Sequence, residues 1–83
     1  MFTPATTFTH ETAAKQLTAG LAAIDAGQTT FKFSATGTID SSAVACMLAW
    51  KRHAQRRKAA LDFQDLPANL TNLIRLYEVS NLL

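Results

Sequence analysis

Thr38-Ile39-Asp40-Ser41-Ser42-Ala43-Val44 is the stretch on which the reading of the fold turns. Thr38 and Ile39 read as the end of a buried strand, and the longest unbroken helical pattern starts directly after Asp40. A carboxylate in that place caps a helix by accepting hydrogen bonds from first-turn amides. Ser41 and Ser42 then hold the first two helical positions, where free N–H groups and the positive end of the dipole favour added negative charge. Either hydroxyl is placed for phosphorylation, or to lie under a partner or an anion. Most capped helices do no more than start a helix, so a functional reading needs support from the rest of the chain.

From Ser41 the helix is expected to run to about Lys58, with no proline or glycine to stop it. On a helical wheel Ala43, Met47, Trp50 and Ala54 lie together, with Val44 and Leu48 on their flank. That side should face a sheet. The opposite side carries Ser42, Ala45, Ala49, Arg52 and Arg56. Small residues there leave the backbone open to a neighbour, and the arginines extend the stripe.

Upstream, Met1 to Phe8 is Thr-rich and interrupted by Pro4, which suits a brief edge segment. A first helix is expected from Thr9, with Ala14, Leu17, Leu21 and Ile24 on its apolar face and an end near Asp25 or Ala26, before Gly27. Gly20 should weaken its middle by about 1 kcal/mol relative to alanine. Thr30 to Ser34 alternates two phenylalanines with polar neighbours, a strand period, and Ser34 to Thr38, with Gly37, reads as a loop or an irregular continuation into Ile39. Downstream, Leu61 to Gln64 alternates likewise. Pro67 suits the start of a last helix whose apolar face is Leu70, Leu73, Ile74 and Tyr77. Val79, Leu82 and Leu83 should fold back on the core. The order β-α-β-α-β-α implies an α/β fold: a single small domain over residues 1–83 with a mixed, largely parallel sheet and helices packed on it. Leu48 and Leu73 are expected to be nearly fully buried.

With 83 residues, 48% of them hydrophobic, the chain fits one folded domain near the lower size limit for a self-sufficient core. No apolar run approaches the roughly 18 residues needed to span a bilayer, and no secretory signal is visible. The single cysteine, Cys46, cannot pair within the chain. These features together point to a cytoplasmic protein. The net charge of +2 is uneven: Lys51, Arg52, Arg56, Arg57 and Lys58 crowd the end of the long helix. Such a cluster can contact nucleic acid, but cations in a last turn more often complement the helix dipole.

Signals for catalysis are few. His10 and His53 lack a metal-ligand companion, Cys46 reads as a small packing residue, and Asp62 and Asp65 read as solvated turn chemistry. Neither a phosphate-binding loop nor a dinucleotide fingerprint is present. No enzyme, cofactor or metal is expected.

Thr38 to Trp50 resembles the strand–Asp-Ser-Ser–helix signature of STAS domains, the fold of sulfate-transporter tails and anti-sigma-factor antagonists. Leu66-Pro67-Ala68-Asn69-Leu70 and Leu76-Tyr77-Glu78-Val79-Ser80-Asn81-Leu82-Leu83 are similar to the same family's last helix. That ending most resembles the small bacterial STAS subunit of the Mla phospholipid-transport ABC system, in places labelled an NTP-binding or toluene-tolerance protein. The resemblance covers about Thr7 to the C-terminus. It implies a non-catalytic regulatory or assembly subunit, held at the inner face of the inner membrane by its partner, the cytoplasmic ATPase. It implies that the helix starting at Ser41 meets this partner, and the small residues and arginines on one side of that helix make Ser42, Ala45, Ala49, Arg52 and Arg56 the expected partner surface. It also implies a switch or phosphorylation site, at Ser42 by comparison with the antagonists and at Ser41 by comparison with the transporter subunit. The runner-up is a phosphorylation-switched antagonist whose partner is an anti-sigma kinase, and a nucleotide-binding module comes third. Two departures stand out: Ala43 replaces the antagonists' usual glycine, and the N-terminal strand region is short.

Overall fold

In a computed structural model of the chain, residues 2–4, 7–33 and 37–77 are described. Seven elements follow in order: β1 (Thr7–Phe8), α1 (Ala13–Asp25), β2 (Thr30–Lys32), β3 (Thr38–Ile39), α2 (Ser41–Arg56), β4 (Asp62–Gln64) and α3 (Ala68–Leu76). The architecture is α/β, as expected, but with one more strand than the alternation suggested, because β3 stands apart from β2. Every pairing among the described residues is parallel. Thr7 and Phe8 of β1 lie beside Thr38 and Ile39 of β3. Phe31 of β2 lies beside Phe63 of β4. Phe2 bridges Phe31, its N–H donating to the Thr30 carbonyl and its own carbonyl accepting from the Lys32 N–H. The short N-terminal segment therefore borders β2 at Phe2 and β3 at Phe8.

The core is aromatic, and Trp50 is its hub. Its ring lies 5.0 Å from Phe31 and 5.8 Å from both Phe8 and Phe2, edge-on in each case. Trp50, Phe8, Phe31, Phe33, Met47 and Leu70 are fully buried. Ala43, Met47, Trp50 and Ala54 of α2 do face inward, and α2 packs against both α1 and α3.

Trp50 also explains the largest correction, on α1. The buried row of that helix is Gln16, Gly20, Ala23 and Ile24; Leu17 and Leu21 are half-buried and Ala14 is exposed. A Cβ added at Gly20 would overlap Trp50 Cε2 and Nε1, so the glycine makes room for the indole rather than merely weakening the helix. The indole N–H donates to the Leu17 carbonyl at 3.1 Å. No side chain fits at Gly20, directly under the indole, so α1 is rolled to bring Gly20 inward, away from the face its leucines suggested.

Helices α1 and α2 stop through Schellman motifs. Gly27 takes φ +91°, with the Gln28 N–H on the Ala23 carbonyl. Lys58 takes φ +57°, with the Ala59 N–H on the Ala54 carbonyl, so α2 ends two residues earlier than its sequence pattern suggested. Thr9 to Thr12 is a turn, its first amide bond running from the Thr12 N–H to the Thr9 carbonyl, and α1 begins only at Ala13.

Leu48 and Leu73 are half-buried, not core. On α3 the inward pair is Leu70 and Ile74, one turn apart, which carries Leu73 to the edge and leaves Tyr77 half-exposed. Ile39 is likewise only half-buried and Thr38 is exposed, so β3 is less enclosed than the sequence suggested. Ser34, Val79, Leu82 and Leu83 lie outside the described residues.

Candidate functional site

The start of α2 is built around Asp40. Its backbone is extended (φ −127°, ψ −173°), which aims the side chain back over the first turn. One carboxylate oxygen accepts the Ser42 N–H at 2.8 Å. The other accepts the His10 N–H at 2.9 Å and lies 3.2 Å from His10 Nδ1. The cap thus ties the turn before α1 to the start of α2, a cross-link that the local sequence pattern did not reveal. The His10 amide above all, then the Ser42 amide, holds the carboxyl down at about 2, against the opposing effect of partial burial. Asp40 is therefore an anion at any ordinary pH.

Ser41 and Ser42 follow in the first turn, Ser41 exposed and Ser42 half-buried. Ser42's amide is already taken by the Asp40 carboxylate. Negative charge added to Ser42 would meet the positive helix end and the ionised Asp40 together, two effects of opposite sign.

Down the helix, Ala45, Arg52 and Arg56 are exposed and Ala49 is half-buried. The five residues Ser42, Ala45, Ala49, Arg52 and Arg56 thus line one side of α2, away from the row of Ala43, Met47, Trp50 and Ala54.

The basic cluster, uniform in sequence, is divided in space. Lys51 donates to the Leu61 carbonyl and lies over the Phe63 ring at 5.5 Å. Arg57 Nε reaches Asp25 Oδ1 at 3.1 Å, and His53 Nε2 reaches the same oxygen at 2.8 Å. The His53 hydrogen bond first, then the Arg57 charge, lowers the Asp25 carboxyl. Arg52, Arg56 and Lys58 are exposed and enter no ion pair among the described residues. Two of the five cations are therefore spent on holding the fold.

The other candidates behave structurally. Cys46 is buried, its thiol donates weakly to the Ala13 carbonyl at 3.8 Å, and burial pushes its pKa up. Asp62 accepts from the Gln64 amide at 2.7 Å, and Asp65 lies 3.7 Å from Lys32. Among the described residues no group of three or more His, Cys, Asp or Glu could hold a metal, and no helix is long and apolar enough to cross a membrane.

Two adjoining depressions flank the stripe and were not foreseen. One, of about 440 Å³, is lined by Ser41, Val44, Ala45, Leu48 and Tyr77. The other, of about 180 Å³, is lined by Leu48, Lys51, Arg52 and Gln55. The sequence signal for them was available in Leu48, which sits at the margin of the apolar arc rather than at its centre. A third cavity, of about 430 Å³, lies between α2, β4 and α3, over Met47, Phe63 and Ile74.

The family model described as Mlab, STAS domain matches residues 5–83. Neither a curated protein nor a solved structure matches the chain. A match over almost the whole length, on a fold of parallel strands with a long helix capped by Asp40, leads to one conclusion: the chain belongs to the STAS domain family.

Proposed function

We propose that this domain is a non-catalytic accessory subunit that binds the cytoplasmic ATPase of a phospholipid-transport ABC system through one face of α2. The family description supports the transporter branch. The observation that carries the docking face is the division of the cations: Arg52 and Arg56, on the same side as Ala45 and Ala49, have no ion pair among the described residues, while Lys51 and Arg57 are held internally. A nucleic-acid surface would draw on the whole cluster and needs no strip of small residues. Free arginines suit carboxylates, which they grip through two parallel N–H bonds. The test is co-purification of the full chain with the ABC ATPase of its own genome, followed by Ala49→Trp. Because Ala49 is half-buried, Ala45→Trp, at an exposed position, serves as the companion that leaves the fold untouched.

A second reading, a phosphorylation-switched anti-sigma antagonist, is favoured by the place of Ser42 at the second helical position. It predicts phosphate on Ser42 from an anti-sigma kinase and loss of that kinase's binding in Ser42→Asp. In the transporter reading no such kinase is engaged. A nucleotide-binding role ranks third.

A further inference from the structure

We infer that the occupant of this face is an amphipathic helix of the partner protein, carrying a large apolar side chain and carboxylates one and two turns away from it. The inference rests on the docking face proposed above and adds the chemistry of what docks there. Leu48 is the key residue, because it lines both depressions. Towards the N-terminus of α2 the walls are Val44, Ala45, Leu48 and Tyr77, with the Ser41 hydroxyl at the rim, and Tyr77 is 50% exposed beside Leu76 at 72%. Towards the C-terminus they become Lys51, Arg52 and Gln55, with Arg56 one turn further on the same stripe. The trough is therefore apolar at one end and cationic at the other.

Geometry sets the spacing of the occupant. Arg52 lies four residues from Leu48 and Arg56 eight, about 6 and 12 Å along an α-helix. A helix lying along the trough would place an apolar side chain against Leu48 and Tyr77 and acidic side chains at one and two turns' distance, the anchor pattern of a helix in a groove. Charge complementarity argues for the acid, since Arg52 and Arg56 have no ion pair among the described residues. A second copy of the chain is a poor occupant. Among the described residues Asp25 is held by His53 and Arg57, Asp40 caps α2, Asp62 accepts from Gln64, Asp65 faces Lys32, and Glu11 lies in a turn.

The test is selection from a displayed library of helical peptides, randomised along one face, using the full chain as bait. Enriched peptides should carry Leu, Ile, Phe or Met with Asp or Glu one and two turns away. Arg52→Glu should weaken the best peptide at least tenfold, and exchanging that peptide's carboxylates for lysines should restore binding to Arg52→Glu. Lys58→Glu, off the trough, should change affinity less than twofold. Amide shifts on binding should centre on Val44, Leu48 and Tyr77. Enriched peptides without the acidic pattern, equal losses in Arg52→Glu and Lys58→Glu, or shifts centred on Phe63 and Ile74 would each overturn the inference. So would a full chain that takes no peptide until residues 78–83 are removed. If acidic helices bind this trough but the ATPase does not, the inference holds and the transporter reading falls. If the ATPase binds here and no acidic helix competes with it, the reverse is true.

Discussion

Gly20 and Asp40 show how single residues set this structure. An alanine at Gly20 would raise intrinsic helix propensity by about 1 kcal/mol. Its methyl, however, would occupy the space of the Trp50 indole, and overpacking of a filled core costs about 1–3 kcal/mol, more where neither side can move. The second effect wins, so Gly20→Ala should lower the denaturation midpoint, whereas Ala19→Gly on the exposed side should cost only the propensity difference. Urea melts of the two variants decide it. A stabilised Gly20→Ala would mean that the indole does not lie across α1. Asp40 leads to a pH prediction with a definite sign. Its carboxyl falls from 3.8 to about 2 on folding, so between those values the unfolded chain binds more protons than the folded one. Its contribution is present in full above about pH 4 and is lost as the pH falls towards 2. Thermal melts of Asp40→Asn against the parent should therefore differ most above pH 4 and converge near pH 2. Asp25, also lowered, acts in the same direction, so the comparison is cleanest in an Asp25→Asn background.

At the scale of the element, α2 has a strained end and an asymmetric flank. Lys58 closes the Schellman motif from the left-handed region, where a side chain is disfavoured by roughly 1–2 kcal/mol. Lys58→Gly relieves that strain but loosens the unfolded chain, and a net stabilisation of about 0.5–1 kcal/mol is expected in chemical denaturation. A destabilised glycine variant would show that the lysine side chain contributes more than its backbone costs. The flank is tested by two leucines. Leu70 is fully buried, and truncation to alanine should cost about 2–5 kcal/mol. Leu48 borders an open trough, so Leu48→Ala should cost clearly less and act chiefly on partner binding. Equal losses of stability would return Leu48 to the core.

At the scale of the whole molecule, what could be read from the chain divides by the range of the interactions involved. The α2 start, its Asp40 cap, its inward row and the Gly27 stop all depend on neighbours within a turn, and each is present in the structure. The roll of α1 was hidden because it depends on Trp50, 30 positions after Gly20 in sequence; a glycine in mid-helix, in a chain with one bulky indole to accommodate, is the clue. The pairing of Phe2 with Phe31 was hidden for the same reason, since a two-residue contact leaves no periodicity. On the candidate face the stripe itself was legible. The sorting of the five cations was not, because it depends on where Leu61, Phe63 and Asp25 arrive in space.

The central claim is that α2 meets an ATPase through the face bearing Ala45, Ala49, Arg52 and Arg56, and calorimetric titration of the full chain with its cognate ABC ATPase tests it most directly. Saturable binding is expected for the parent chain. Ala49→Trp and Ala45→Trp should abolish it, Ala45→Trp with unchanged circular dichroism and melting temperature, and Arg52→Ala should weaken it by about 1 kcal/mol or more. Wild-type affinity in both tryptophan variants, together with retention of DNA or RNA at physiological salt, would contradict the account.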